Sequence, residues 1–104
     1  MFKEYLQYDA TDLAALIASR DVSAPEVLDA ALARLDAVNP KINAFCTPMI
    51  DAARARAAGP LSGPFAGVPF LIKDIAQHVK GVPTSAGTRV LKDWCPDVSS
   101  EIVL

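Results

Sequence analysis

At 104 residues the chain is one domain at most, and 52% hydrophobic with 21% charged residues is a globular rather than a disordered composition. Ten Lys and Arg stand against twelve Asp and Glu with no basic run, only a loose Arg54/Arg56 pair, so neither a nucleic acid nor an anionic membrane is an expected partner. Cys46 and Cys95 lie far apart and outside any CxxC, which indicates reduced, structural thiols rather than a disulfide framework or a zinc site. The first eight residues mix Lys3 and Glu4 with aromatics and contain no apolar core of signal-peptide or membrane-span length, so a cytoplasmic location is expected.

In chain order, the first half reads as helices. Asp9, with Asp12 three residues on, caps a short amphipathic helix carrying Leu13, Leu16 and Ile17 and ending near Ser19. Ser23, Pro25 and Glu26 form a capping box with proline in the first turn, and Val27, Leu28, Ala31, Leu32, Leu35 and Val38 then recur at helical spacing as packing surface. The Asn39-Pro40 step predicts the end of this helix, because the residue before proline is pushed out of the helical region. Residues 42–47 read as a brief extended segment, and 50–58 as a third helix closed by Gly59-Pro60.

From Gly59 to Gly87 glycine and proline become frequent and helix gives way to loop and sheet. Val68 to Ile72 is a strand-like apolar run, with Pro69 arguing that the strand starts near there, and it ends abruptly in Lys73 and Asp74. Gly81-Val82-Pro83 is a turn. Ser99 and Ser100 read as the cap of a further helix cut off within its first turn, which is too short to hold itself together. The chain is therefore expected to be the N-terminal piece of a longer protein, with apolar faces exposed and the 68–72 strand lacking a comparable partner strand.

Three stretches, "ALARLDAVNPKINAF", "FAGVPFLIKD" and "GVPTSAGT", in this order, resemble the start of the amidase signature family of amide hydrolases over nearly the whole chain. Within that family the "YDA" opening and the "GPFAGVP" run are most similar to bacterial amidases of the 6-aminohexanoate cyclic dimer hydrolase kind. The resemblance implies an α/β fold in which N-terminal helices (residues 1–58) precede the first strands of a mixed sheet, residues 59–104 being the incomplete start of the catalytic domain. It implies a Ser, cis-Ser, Lys triad acting on a small-molecule amide, with Lys73 as the base. The two serines and the glycine-rich oxyanion loop would lie beyond Leu104, so the chain alone is expected to be inactive and to associate with the rest of the amidase chain or another copy. After "PD" the family usually has an aspartate opening the next helix, where this chain has Ser99, an equally competent cap.

Chemistry gives Lys73 the same role by a separate route. A lysine is a base only when neutral, and burial beside Phe70 and Ile72 would disfavour its charged form. A serine needs such a neighbour to attack an amide near neutral pH. From spacing alone, the commoner fate of such a lysine is to leave the strand into solvent and pair with Asp74 or a neighbour; the motif context favours the base. Asp74 is a supporting residue that either orients Lys73 or, as a turn carboxylate, bonds nearby backbone amides. Thr84, Ser85 and Thr88 suit a turn and receive no chemistry. His78, without an acidic or cysteine partner at ligand spacing, is expected to face solvent, and neither a metal nor a cofactor is expected. Two other functions fit these residues: a non-catalytic helical interaction module, and the glutamine-hydrolysing component of a tRNA-dependent amidotransferase.

Overall fold

The computed structural model describes residues 2–104, leaving Met1 outside the described residues. The chain divides into two compact units, Met1–Pro69 and Phe70–Leu104. The first contains three helices, α1 (Ala10–Ala18), α2 (Ala24–Ile42) and α3 (Ile50–Ala58), after a short 3-10 turn at Tyr5–Gln7.

Each of the first two helices starts where a side chain satisfies an orphan backbone donor. Asp9 accepts from the Asp12 amide at 2.9 Å, and Ser23 accepts from the Glu26 amide while Glu26 accepts from the Ser23 amide at 2.7 Å, completing the capping box. The Ser23 amide and then the Ser23 hydroxyl, which also donates to the Glu26 carboxylate at 2.8 Å, hold that carboxyl below its ordinary range. Residues Leu13, Ala24, Val27 and Ala30 form the buried core, with Val27 fully enclosed. It is a small core, half of it alanine. α3 packs against α2 and contributes an exposed Arg54–Asp29 ion pair at 2.6 Å, of the kind that adds about 0–1 kcal/mol.

The second helix does not end at Asn39-Pro40. It continues through Pro40 to Ile42 and terminates on Asn43, which adopts the left-handed conformation (φ 48°) and donates its amide to the Asn39 carbonyl at 2.7 Å. Proline is costly where it removes a helical hydrogen bond in the interior, but here it sits in the last turn. Asn39 also clasps the exiting chain, accepting from the Phe45 amide at 2.9 Å and donating to its carbonyl at 3.4 Å. A side-chain clasp and a left-handed cap outweigh the local preference of a pre-proline residue.

Among the described residues there is no β-strand. Residues 68–72 are irregular rather than a strand, because no other segment pairs with them, the Val68 amide making only a local bond to the Phe65 carbonyl at 3.1 Å; the α/β sheet implied by the resemblance is not formed within these residues. In the second unit, residues 78–84 and 94–100 run antiparallel in near-constant register, with Ser100, Gly81 and Thr84 amides donating to His78, Pro96 and Trp94 carbonyls at 2.9 Å each. Pro83 and Pro96 have no amide to return a bond, so the ladder stays incomplete. Many large apolar side chains remain open, among them Phe70 and Leu71 in the second unit and Ile42 and Phe65 in the first.

The serines before the last turn have a different task from capping. A 3-10 turn at Glu101–Val103 follows Ser100 without a side-chain cap. Ser100 Oγ instead accepts from the His78 amide, and Ser99 Oγ from the Lys80 amide, both at 2.9 Å.

Gly67 is the most closely packed glycine of the first unit. Its φ is +87°, and a Cβ there would lie 2.9 Å from the Ala24 Cβ and 3.1 Å from Ile17 Cδ1. Gly81 has φ +75° but open space around it. Gly67→Ala is therefore expected to cost about 2–4 kcal/mol, combining left-handed strain with overpacking, and Gly81→Ala only about 1–2 kcal/mol; thermal denaturation of the two variants measures the difference.

Candidate active site

The lysine singled out by the sequence lies in the second unit, at the end of the irregular 68–72 run. Its side chain is exposed, and Phe70, 66% exposed, does not enclose it. The apolar burial expected around the amine is thus absent within these residues, since a run without neighbours builds no walls. The Lys73 amide donates to Gln77 Oε1 at 2.9 Å, which closes the turn at residues 74–76, where Ala76 takes a left-handed conformation.

Asp74 turns to the chain ahead of it. Its carboxylate accepts from the Ser85 amide at 2.9 Å, the Ser85 hydroxyl at 2.6 Å and the Gly87 amide at 3.4 Å. The hydroxyl bond is the largest cause of a carboxyl held below its ordinary value, with the backbone bonds adding to it against some desolvation. Ala86 (φ 52°) and Gly87 (φ 74°) are both left-handed, and this geometry turns the Ser85 and Gly87 amides toward the same anion. Of the two roles open to Asp74, the turn carboxylate is the one formed.

Ser85 is a residue to which the sequence alone assigns no chemistry. Serine in a Gly-containing turn has ordinary backbone reasons to be there, and its partner lies 11 residues earlier, beyond any local pattern. The remaining hydroxyls of this stretch are structural: Thr84 is buried and donates to the Val82 carbonyl at 3.3 Å, and Thr88 Oγ1 accepts from the Val90 amide at 3.3 Å. His78 does not face solvent as a lone side chain. It is half-buried, with the Trp94 ring packed edge-on against it at 5.3 Å. Among the described residues no group of three His, Cys, Asp or Glu side chains is placed to hold a metal ion, both cysteines are free and exposed, and no helix is long and apolar enough to cross a membrane. A hollow of about 250 Å³ in the first unit, between Ile17, Leu61 and Pro64, has no titratable side chain in its lining.

A lysine and a satisfied carboxylate thus stand side by side after an apolar run. The family model described as Amidase matches residues 26–104, which contain both groups and the turn that binds one of them. The chain belongs to the amidase family. It is 44% identical over 104 residues to a glutamyl-tRNA(Gln) amidotransferase component of Salinispora tropica, covering 92% of this chain and 21% of that one. It is 41% identical over 93 residues to the 6-aminohexanoate-cyclic-dimer hydrolase of Pseudomonas sp., covering 89% and 19%. It is 39% identical over 92 residues to an acylamidase of Rhodococcus erythropolis, covering 81% and 19%. The chain spans about a fifth of the length of these relatives.

Because the folded carboxyl of Asp74 titrates lower than the unfolded one, its bonds stabilise the turn above the ordinary value of 3.8 and are lost as the pH falls through the lowered folded value. The Ser85 and Gly87 amide resonances are expected to shift together on acidification, with a midpoint below 3.8. Nuclear magnetic resonance titration checks this; a midpoint at or above 3.8 would place the carboxylate outside the turn.

Proposed function

We propose that this chain is the N-terminal part of an amide hydrolase that cleaves C–N amide bonds through an acyl-enzyme, with Lys73 as its base. The observation that carries the reading is the family match over residues 26–104, which spans the "FLIKD" and "GVPTSAGT" stretches together. In this mechanism one serine oxygen bonds to the amide carbonyl carbon while its proton passes through the second serine to the Lys73 amine. The tetrahedral intermediate collapses, the C–N bond breaks, and the amine departs with that proton. Water then adds to the acyl-serine ester and releases the carboxylic acid and the free serine. Both serines and the oxyanion loop are supplied by chain beyond residue 104. Residues 59–104 are the opening of the catalytic domain in this reading, and the helices before them its N-terminal segment. The open Phe70 and Leu71 side chains fit a run that the following chain walls in, giving the amine the apolar surroundings a neutral lysine needs.

Two substrate classes follow from the relatives. The 6-aminohexanoate-cyclic-dimer hydrolase and the acylamidase favour a small acyl amide. The amidotransferase relatives, 44% and 45% identical, support a second reading in which the amide is that of glutamine and the product ammonia is passed to a tRNA-linked acyl group. Assay of the full-length polypeptide on the cyclic dimer and on glutamine separates them.

In that full-length polypeptide Lys73→Ala is expected to lower turnover by about 10²- to 10⁴-fold. Lys73→Arg should fail comparably, since a guanidinium keeps its charge at any working pH and cannot accept the proton. Turnover of the arginine variant near the parent rate would show that position 73 supplies charge rather than a lone pair.

A further inference from the structure

A neutral lysine next to a carboxylate in the sequence is an electrostatic conflict. An anion within a few ångströms favours the ammonium form and raises the pKa that a base must keep low. Asp74 is the carboxylate adjacent to Lys73, yet the one ion pair among the described residues is Arg54–Asp29, in the other unit.

We propose that Ser85 is a positioning residue for the base: by binding the Asp74 carboxylate into the turn 85–87 it withholds that anion from the Lys73 amine. The inference rests on the reading of Lys73 as base. Both carboxylate oxygens are engaged, Oδ1 by the Ser85 amide and Oδ2 by the Ser85 hydroxyl and the Gly87 amide. The hydroxyl bond, 2.6 Å to an anion, is in the short, strong range for a charge-assisted bond. The turn has no charge of its own, being Ser85-Ala86-Gly87, so it holds the anion with dipoles and places no competing cation on it. The group meeting the Lys73 amide, Gln77, is neutral as well. The other charged or titratable side chains of the unit, His78, Lys80, Arg89, Lys92, Asp93, Cys95, Asp97 and Glu101, form no ion pair with Lys73 or Asp74. Ala86 takes a left-handed conformation that a residue with a Cβ adopts only at a cost, and such strain persists where surrounding bonds fix it. The three bonds to Asp74 are those fixing bonds.

The test is the pH dependence of kcat/KM in the full-length enzyme, read with a chromogenic p-nitroanilide. Ser85→Ala removes the shortest of the three bonds and leaves Oδ2 only the 3.4 Å bond from the Gly87 amide, which loosens the carboxylate toward Lys73, so the acid limb, which reports loss of the proton from the amine, should move up by about one pH unit. The rate should recover at higher pH. Ser85→Thr keeps a hydroxyl and should leave the limb in place, and adding Asp74→Asn to Ser85→Ala should return it, because the anion is gone. Ser85→Cys, close in size with a weaker donor, should give an intermediate shift and serves if the alanine variant does not accumulate. A rate lowered equally at every pH, or a limb that does not move in either the alanine or the cysteine variant, would overturn the proposal. With Lys73→Arg inactive, such a result removes only the role of Ser85; an active Lys73→Arg removes the base itself and this inference with it.

Discussion

Bonds from one turn to one carboxylate organise the second unit around Lys73. Asp74 could have neutralised its neighbour, and the Ser85 and Gly87 donors give it another partner. The turn at residues 74–76, closed by Gln77 on the Lys73 amide, and the left-handed pair at Ala86 and Gly87 both serve that arrangement. The lysine leaves the apolar run without an anion bound to it. Its side chain is exposed and forms no ion pair among the described residues.

The rest of the second unit is held by polar clasps rather than by a core. Ser99 and Ser100 bind the amides of Lys80 and His78, and three backbone bonds tie residues 78–84 to 94–100. Pro83 and Pro96 remove donors that would complete a ladder, so these runs approach sheet geometry without becoming strands. The first unit works differently. It has a small apolar core in Leu13, Ala24, Val27 and Ala30, and Gly67, with no Cβ to clash with Ala24, admits the loop that follows α3.

Helices are the legible part of the sequence because their signals are local. The caps at Asp9 and Ser23 and the limits of α3 lie where periodicity and capping chemistry put them. The end of α2 escapes the pre-proline rule, which weighs a single dipeptide, while the clasp from Asn39 to Phe45 spans six positions. The expected strand at 68–72 fails for a related reason: an apolar run specifies a tendency to extend, and a strand needs a partner that these residues do not contain. The site is legible in part. Lys73 and Asp74 stand out as a break in hydrophobicity, whereas the bond from Ser85 to Asp74 joins residues 11 apart through a loop, where no spacing rule applies. His78 looks solvent-facing in the sequence for the same reason, since Trp94 lies 16 positions later.

Two placements carry the proposal: the Asp74 carboxylate in the 85–87 turn, and the Lys73 amine against a serine. A crystal structure of the full-length amidase tests both at once. The expected result is Lys73 Nζ within about 2.6–3.2 Å of a serine hydroxyl supplied by later chain, enclosed by apolar side chains, with Asp74 still bonded to Ser85. A Lys73 amine paired with Asp74, or pointing into solvent away from any serine, would contradict it.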